Sequence, residues 1–281
     1  MKKVINIFII LIAFQSYSQS VLFDFSKKEY IPAALVLENG NTLSGFITDF
    51  ILPKTVEFRG VGFEFKSIES KLRMDNPNIK FKSTTDGEVQ KMELKDIKSI
   101  TLLREEAVIY EKIKLKTINS NNEVVDLERE VIVPLIKAGA LDLYGLKAYN
   151  CSNGSNCEMM YVIAYIKNPN QDYAYIPIDV NRINLFNTGS LTDKLFKSFA
   201  EAGSDCPEFL AYLDAAKNEI IDKDTRQKGR EAYKQFRKEK KEKLKAYKAG
   251  RERRNAEDDL DVAYFLSLYY NLIDEYASRC D

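Results

Sequence analysis

From Tyr30 to Leu103 apolar side chains recur at every second position: Leu35 with Leu37, Leu43 with Ile47, Ile79 with Phe81 and Met92 with Leu94. A period of two places such residues on one face of a strand. Asn39-Gly40 separates residues 33–38 from 41–49, and Asp86-Gly87 separates 78–84 from 88–95. Both dipeptides supply the positive φ angles of two-residue turns, so the spacing predicts two β-hairpins. Gly45, inside the second strand, marks where a small barrel would bend. An SH3-like or Sm-like barrel and a plain antiparallel sheet both fit this pattern.

The alternation continues with Ile113 and Leu115, Val131 and Val133, Leu141 and Leu143, then residues 159–166 and 172–178. Ala138-Gly139 and Asn168-Pro169-Asn170 are the turn signals between them. This segment predicts a second antiparallel sheet or an extension of the first. It carries Tyr144, Tyr149, Tyr161, Tyr165, Tyr173 and Tyr175. Such rings can line a ligand groove, but they more often cover a half-exposed sheet.

After Asn187 the period changes to about 3.6. Ser190 with Asp193 and Asp205 with Glu208 resemble capping boxes and predict two helix starts. Gly203 is placed to end the first helix, whose buried face is Leu195, Phe196 and Phe199; Phe209, Leu210, Leu213 and Ile220 mark the second. A last helix is predicted over 259–278, with residues 262–273 apolar almost all round, too short for a membrane span and so placed in the core. Between these helices, 225–255 is a charged arm that would approach about 50 Å if helical throughout. Gly229 and Gly250 bracket its better half. Tyr233, Phe236, Lys240, Leu244 and Tyr247 form a thin, coiled-coil-like stripe that could be covered by one partner helix.

The pattern therefore predicts an α+β protein: antiparallel β-sheet or small barrel regions, then a C-terminal helical segment with a long charged helix. Its expected organisation is a β-rich domain at 19–105, a second antiparallel β region at 106–186 and a helical region at 187–281 containing the basic arm 225–255. Residues 1–18 stand apart. Lys2 and Lys3, an apolar run from Val4 to Phe14, and Ser16-Tyr17-Ser18 come in the order of a secretory signal peptide, with cleavage expected before Gln19. The run of eleven residues is about half a bilayer span. The expected location is outside the cytoplasm: periplasm, outer-membrane associated or secreted, with no transmembrane span in the mature chain.

Export changes the meaning of the four cysteines, which read as two disulfides with three possible connectivities. Cys151 and Cys157 flank Ser-Asn-Gly-Ser-Asn and would staple a hairpin mouth, leaving Cys206 for Cys280. Charges balance at 42 against 42, but unevenly. Residues 223–255 hold nine Lys and six Arg against five acids, a local excess of ten positive charges. The expected partner-binding residues are Arg230, Lys234, Arg237, Lys238, Lys241, Lys245, Lys248 and Arg251, facing an acidic protein or an anionic envelope component. Aromatic residues among the basic ones would also suit nucleic acid, which export disfavours. The bland reading of the arm is a solvated antiparallel hairpin with its charges turned to water or to the acidic remainder of the chain.

The chain contains no His and no Trp. Losing His removes the usual base of Ser and Cys hydrolases and the commonest zinc ligand. Phosphate-binding, dinucleotide, metalloprotease and nucleophile-elbow motifs are absent from the sequence, so no catalytic residue, cofactor or metal is assigned. Binding or structure is the leading class; a carboxylate-dependent hydrolase in a β-sheet cleft is the alternative.

Residues 135–144 (Leu-Ile-Lys-Ala-Gly-Ala-Leu-Asp-Leu-Tyr), Asp205-Cys206-Pro207 and Tyr270-Asn271 resemble a family of uncharacterised exported Bacteroidota proteins. That family has an N-terminal small β region and a disulfide-linked helical C-terminus. The resemblance implies this layout over most of the mature chain, with the basic stretch from Thr225 as an insertion.

Overall fold

The alternation around Asn39-Gly40 folds into strands β1 (Ile31–Leu37) and β2 (Thr42–Thr48), paired antiparallel with Leu35 opposite Leu43. The computed structural model describes residues 30–48, 78–103, 107–119, 121–152, 156–177, 189–221 and 223–280. The expected signal peptide and its cleavage point lie outside them. The second hairpin joins β3 (Asn78–Lys82) to β4 (Gln90–Glu93), and a 3-10 turn at Leu94–Asp96 leads into β5 (Ile97–Leu102). These strands lie in the order β5-β1-β2-β3-β4.

Neither hairpin uses the expected two-residue turn. Leu37 N–H donates to Asn41 O at 2.8 Å and Gly40 N–H to Leu37 O at 3.0 Å, which encloses three residues, and among them Gly40 alone has positive φ, +85°. This is the three-residue loop with glycine at the left-handed position. At Asp86-Gly87 the strands separate earlier, leaving residues 83–89 between them. Gly45 earns its place through close approach: a Cβ there would lie 2.2 Å from the Lys82 carbonyl oxygen.

Strand β5 pairs with β6 (Val108–Ile118), which continues through β7 (Val124–Lys137), β8 (Asp142–Ser152), β9 (Asn156–Lys167) and β10 (Tyr173–Ile176). The second β region is thus continuous with the first. It is not wholly antiparallel: β10 pairs in parallel with β6, Ala174 opposite Leu115, so β6 to β10 close into a ring. An odd number of strands joined antiparallel in sequence can close only through one parallel pair. The β6–β7 hairpin repeats the three-residue loop, with Asn122 at φ +62° and the Asn119 side chain accepting from the N–H groups of Asn121 and Glu123.

Helices α1 (Gly189–Ala202), α2 (Pro207–Ile221), α3 (Lys223–Lys243) and α4 (Arg251–Cys280) follow. Period-two alternation divides the later strands between two cores. Tyr144, Tyr165, Ala174 and Ile176 join the core of β1 to β7, whereas Leu143, Ala164, Ile166 and Tyr175 pack with the helices. Tyr144, Tyr165 and Tyr175 are therefore core residues rather than groove lining. Tyr173 instead holds the Lys116 ammonium 4.0 Å above its ring. The side chains of Tyr149 and Tyr161 lie outside the described residues.

Leu195, Phe196, Phe199, Phe209 and Leu213 are buried as their spacing predicts. The start of α2 differs from its predicted capping box. Cys206 O accepts from Leu210 N–H, so Cys206 holds the cap position and Asp205 lies outside the helix. The Asp205 carboxylate accepts from Tyr276 O–H at 2.9 Å and Asn168 Nδ2 at 3.1 Å. Cys206 is bonded to Cys280, pinning the end of α4 to the start of α2 with Cα atoms 5.8 Å apart. In the chain-entropy model a closure this long contributes about 4 kcal/mol. Cys151 stands directly opposite Cys157 in the β8–β9 ladder; their side chains lie outside the described residues.

Candidate functional site

The charged arm is not one long helix. It bends at a 3-10 turn, Leu244–Ala246, and at Gly250, whose φ of +141° is open to glycine. The predicted last helix begins eight residues earlier than expected, at Arg251, and α3 runs back beside it. Gly229 passes through α3 without breaking it.

The stripe of 233–244 finds its partner helix within the same chain. Phe236 stacks on Tyr264, ring centroids 4.2 Å apart, and Tyr233 tilts against Tyr264 at 5.7 Å. Lys240 Nζ lies 2.9 Å from both carboxylate oxygens of Asp261 and 3.1 Å from Glu257. Burial pulls the Lys240 pKa down, but its hydrogen bonds to Asp261 and Glu257 outweigh that and raise it overall. Leu244 closes the turn, 4% exposed. Tyr247 at the end of the stripe is instead 43% exposed. The arm is therefore an antiparallel helical hairpin, held by rings at one end and a three-charge knot at the other.

With this stripe turned to α4, the basic residues take the neighbouring sector. At 100° per residue, Arg230, Lys234, Arg237, Lys238 and Lys241 fall within an arc of about 100° on α3, and Lys245 follows in the 3-10 turn. All six are exposed, and Lys245 also pairs with Glu242 at 2.7 Å. Of the acids on α3, Glu231 and Glu242 fall about 20° and 40° beyond the Lys238 edge of this arc and Glu239 about 100° beyond it. Glu231 is held by Gln227 and Glu239 by Gln235. Lys248 is exposed in the connection beyond Leu244–Ala246; the side chain of Arg251 lies outside the described residues. The hairpin thus gathers five of the eight expected residues on one face of α3, with Lys245 following in the 3-10 turn.

Part of this surface was not expected from the sequence. Residues 262–273 read as core all round, yet Tyr264 and Leu268 are 36% and 40% exposed, beside Tyr233 at 48%. Val262, Leu266, Tyr269, Leu272 and Ile273 do face the core. Tyr264 and Leu268 are four residues apart, a spacing that places them on the same side of a helix. Only the position of α3 shows which side that is.

No family model, curated protein or solved structure matches this chain.

The structure also brings two carboxylates together. Tyr144 O–H donates to Glu111 Oε2 at 2.5 Å and lies 3.3 Å from Asp142 Oδ2. Asp142 Oδ1 accepts from Gly139 N–H at 3.1 Å. Burial, then the Glu111 charge, lifts the Asp142 pKa against the pull of that N–H. Tyr144 is raised far above the ordinary phenol range by burial and by Glu111. Asp142 and Tyr144 share a face by period-two spacing, while Glu111 comes from β6, a pairing no local pattern announces. A hydrolase needs its acid and base to face a substrate. Here the buried tyrosine stands between them, so the arrangement accounts for packing two acids more readily than for hydrolysis.

Among the described residues no helix is long and apolar enough to cross a membrane.

Proposed function

We propose that this is an exported, non-enzymatic binding or structural protein of the cell envelope, whose basic helical hairpin and β region meet an acidic partner. The observation that carries the proposal is the run of exposed cations along α3: Arg230, Lys234, Arg237, Lys238 and Lys241 share one arc and Lys245 follows in the next turn, while Glu231 and Glu239 are held by Gln227 and Gln235 and only Glu242 pairs into the row, at Lys245. Such a face concentrates positive potential and attracts polyanions. Export rests on the N-terminal charge, apolar and small-residue zones, and the Cys206–Cys280 bond fits an oxidising compartment. The proposal places the protein with the exported Bacteroidota family. The order β5-β1-β2-β3-β4 with its 3-10 turn supports an SH3-like reading of the first β domain.

The test compares two triple variants of equal charge on a polyanionic matrix. Lys234→Gln/Lys238→Gln/Lys241→Gln removes cations from the arc, whereas Lys91→Gln/Lys98→Gln/Lys114→Gln removes exposed lysines of the β region. The first is expected to elute at clearly lower salt than the second. Equal elution rejects the arm as the binding face.

A further inference from the structure

We infer that the hairpin's partner is a linear acidic polysaccharide lying lengthwise along α3, its charged groups on the basic arc and its sugar rings on the adjoining tyrosines. This inference deepens the proposed function and rests on it.

The geometry of the charge is the first argument. Arg230, Lys234, Arg237, Lys241 and Lys245 follow one another at steps of four, three, four and four residues. Helical neighbours at these spacings lie about 5–6 Å apart. From Arg230 to Lys241 the row extends for roughly 17 Å at 1.5 Å per residue, and Lys245 continues it in the 3-10 turn. It is narrow, with Lys238 beside it, and so matches a single polymer strand carrying charge at intervals of about one sugar. A flat bilayer requires a broader face.

The second argument is the apolar border. Tyr233 and Tyr264, in contact with each other beside the arc, and Leu268, one turn further along the same side of α4, are exposed and form a small ledge rather than a continuous apolar helix face. Phe236 packs on Tyr264, so the ledge is built of rings already held against one another. Membrane-binding helices present an uninterrupted apolar side, and the corresponding side of α4 is already in the core through Val262, Leu266 and Tyr269. A tyrosine offers a flat apolar surface and a polar tip. The C–H faces of a pyranose fit the first, and its hydroxyls fit the second. Charge and ledge together thus select a polymer that is both anionic and built of rings with apolar faces.

The test uses the full chain with four probes: polygalacturonate, neutral galactan, phosphatidylglycerol vesicles and single-stranded DNA. Polygalacturonate is expected to bind tightest, with affinity falling as salt rises. Tyr233→Ala and Leu268→Ser, both at exposed positions, are each expected to weaken that binding about 3- to 10-fold without changing the salt slope. Lys234→Gln/Lys241→Gln is expected to weaken it and flatten the slope. Helical circular dichroism identifies a variant that has lost its fold, and the other ledge variant then decides. Tighter binding to vesicles or DNA, or unaltered binding by both ledge variants, overturns the inference and leaves the basic face standing. Failure of all three anionic probes overturns both.

Discussion

Phe236 lies nearly parallel to Tyr264, planes 20° apart and centroids at 4.2 Å, so the arm is closed by a contact between its own two helices. The rings and the Lys240 knot hold α3 where otherwise mainly polar residues face it. In a double-mutant cycle Phe236→Leu and Tyr264→Leu are expected to show a coupling of about 0.5–1.5 kcal/mol. The measurement is the opening free energy of α3 amides by hydrogen exchange. Simple additivity shows that the rings do not act as a pair.

Asp142 is expected to make stability fall as pH rises. Burial and Glu111 raise its folded pKa, so the folded state binds more protons from about pH 4, the unfolded value, up through the folded pKa. Asp142→Asn removes that loss while its side-chain oxygen still accepts from Gly139. The variant is expected to be the more stable of the two at pH 7, by an amount limited by solvent screening, and the advantage disappears below about pH 4. Urea unfolding at the two pH values measures it; a destabilised variant at pH 7 contradicts the account. Tyr144→Phe, which strips the carboxylates of their shared partner, is expected to cost about 1–3 kcal/mol.

Asn168, 2% exposed, ties the β9–β10 turn to the helices. Its amide nitrogen lies 3.1 Å from both Ala202 O and Asp205 Oδ2, and its oxygen accepts from Asn170 N–H at 3.0 Å. Asn168→Ala is expected to cost about 1–3 kcal/mol. Asn168→Asp is expected to cost more at pH 7, because an acceptor then faces a carbonyl and a carboxylate. The gap between the two variants should narrow in acid, as followed by urea unfolding; equal costs at pH 7 reject the donor role.

Gly40 and Gly45 should separate conformational from steric cost. At Gly40 nothing lies within 4 Å of an added Cβ, so Gly40→Ala is expected to cost about 1 kcal/mol for its left-handed φ alone. At Gly45 the Cβ meets Lys82 O at 2.2 Å and the Phe81 ring at 2.7 Å. Gly45→Ala is expected to cost about 3 kcal/mol or more, since β2 and β3 must part. Thermal unfolding of the two variants gives the comparison, and equal losses refute the close-approach account.

Local features were legible in the sequence because their causes are local. Alternation at 33–47 and 78–94 gives strands, the 3.6 period after Asn187 gives helices, and one remaining cysteine pair gives Cys206 with Cys280. The turn at Asn39-Gly40 was readable as a turn but not as its type, since Leu37 and Asn41 decide how many residues it encloses. Asp205 carried a capping pattern yet serves Asn168 and Tyr276, residues remote in sequence.

The sequence by itself determined the alternating strands, the amphipathic helices and the ten-charge excess of the arm, because each depends on side chains within a few positions of one another. Tertiary structure decided which neighbours they met. The parallel pairing of β10 with β6 depends on closure of the whole ring, and the Glu111–Tyr144 contact on β6 and β8 both pairing with β7. The stripe from Tyr233 to Leu244 could have covered any helix. Packing it on α4 turned Arg230, Lys234, Arg237 and Lys241 outward, because the helical repeat fixes their angle to the stripe but not the direction in which the stripe faces.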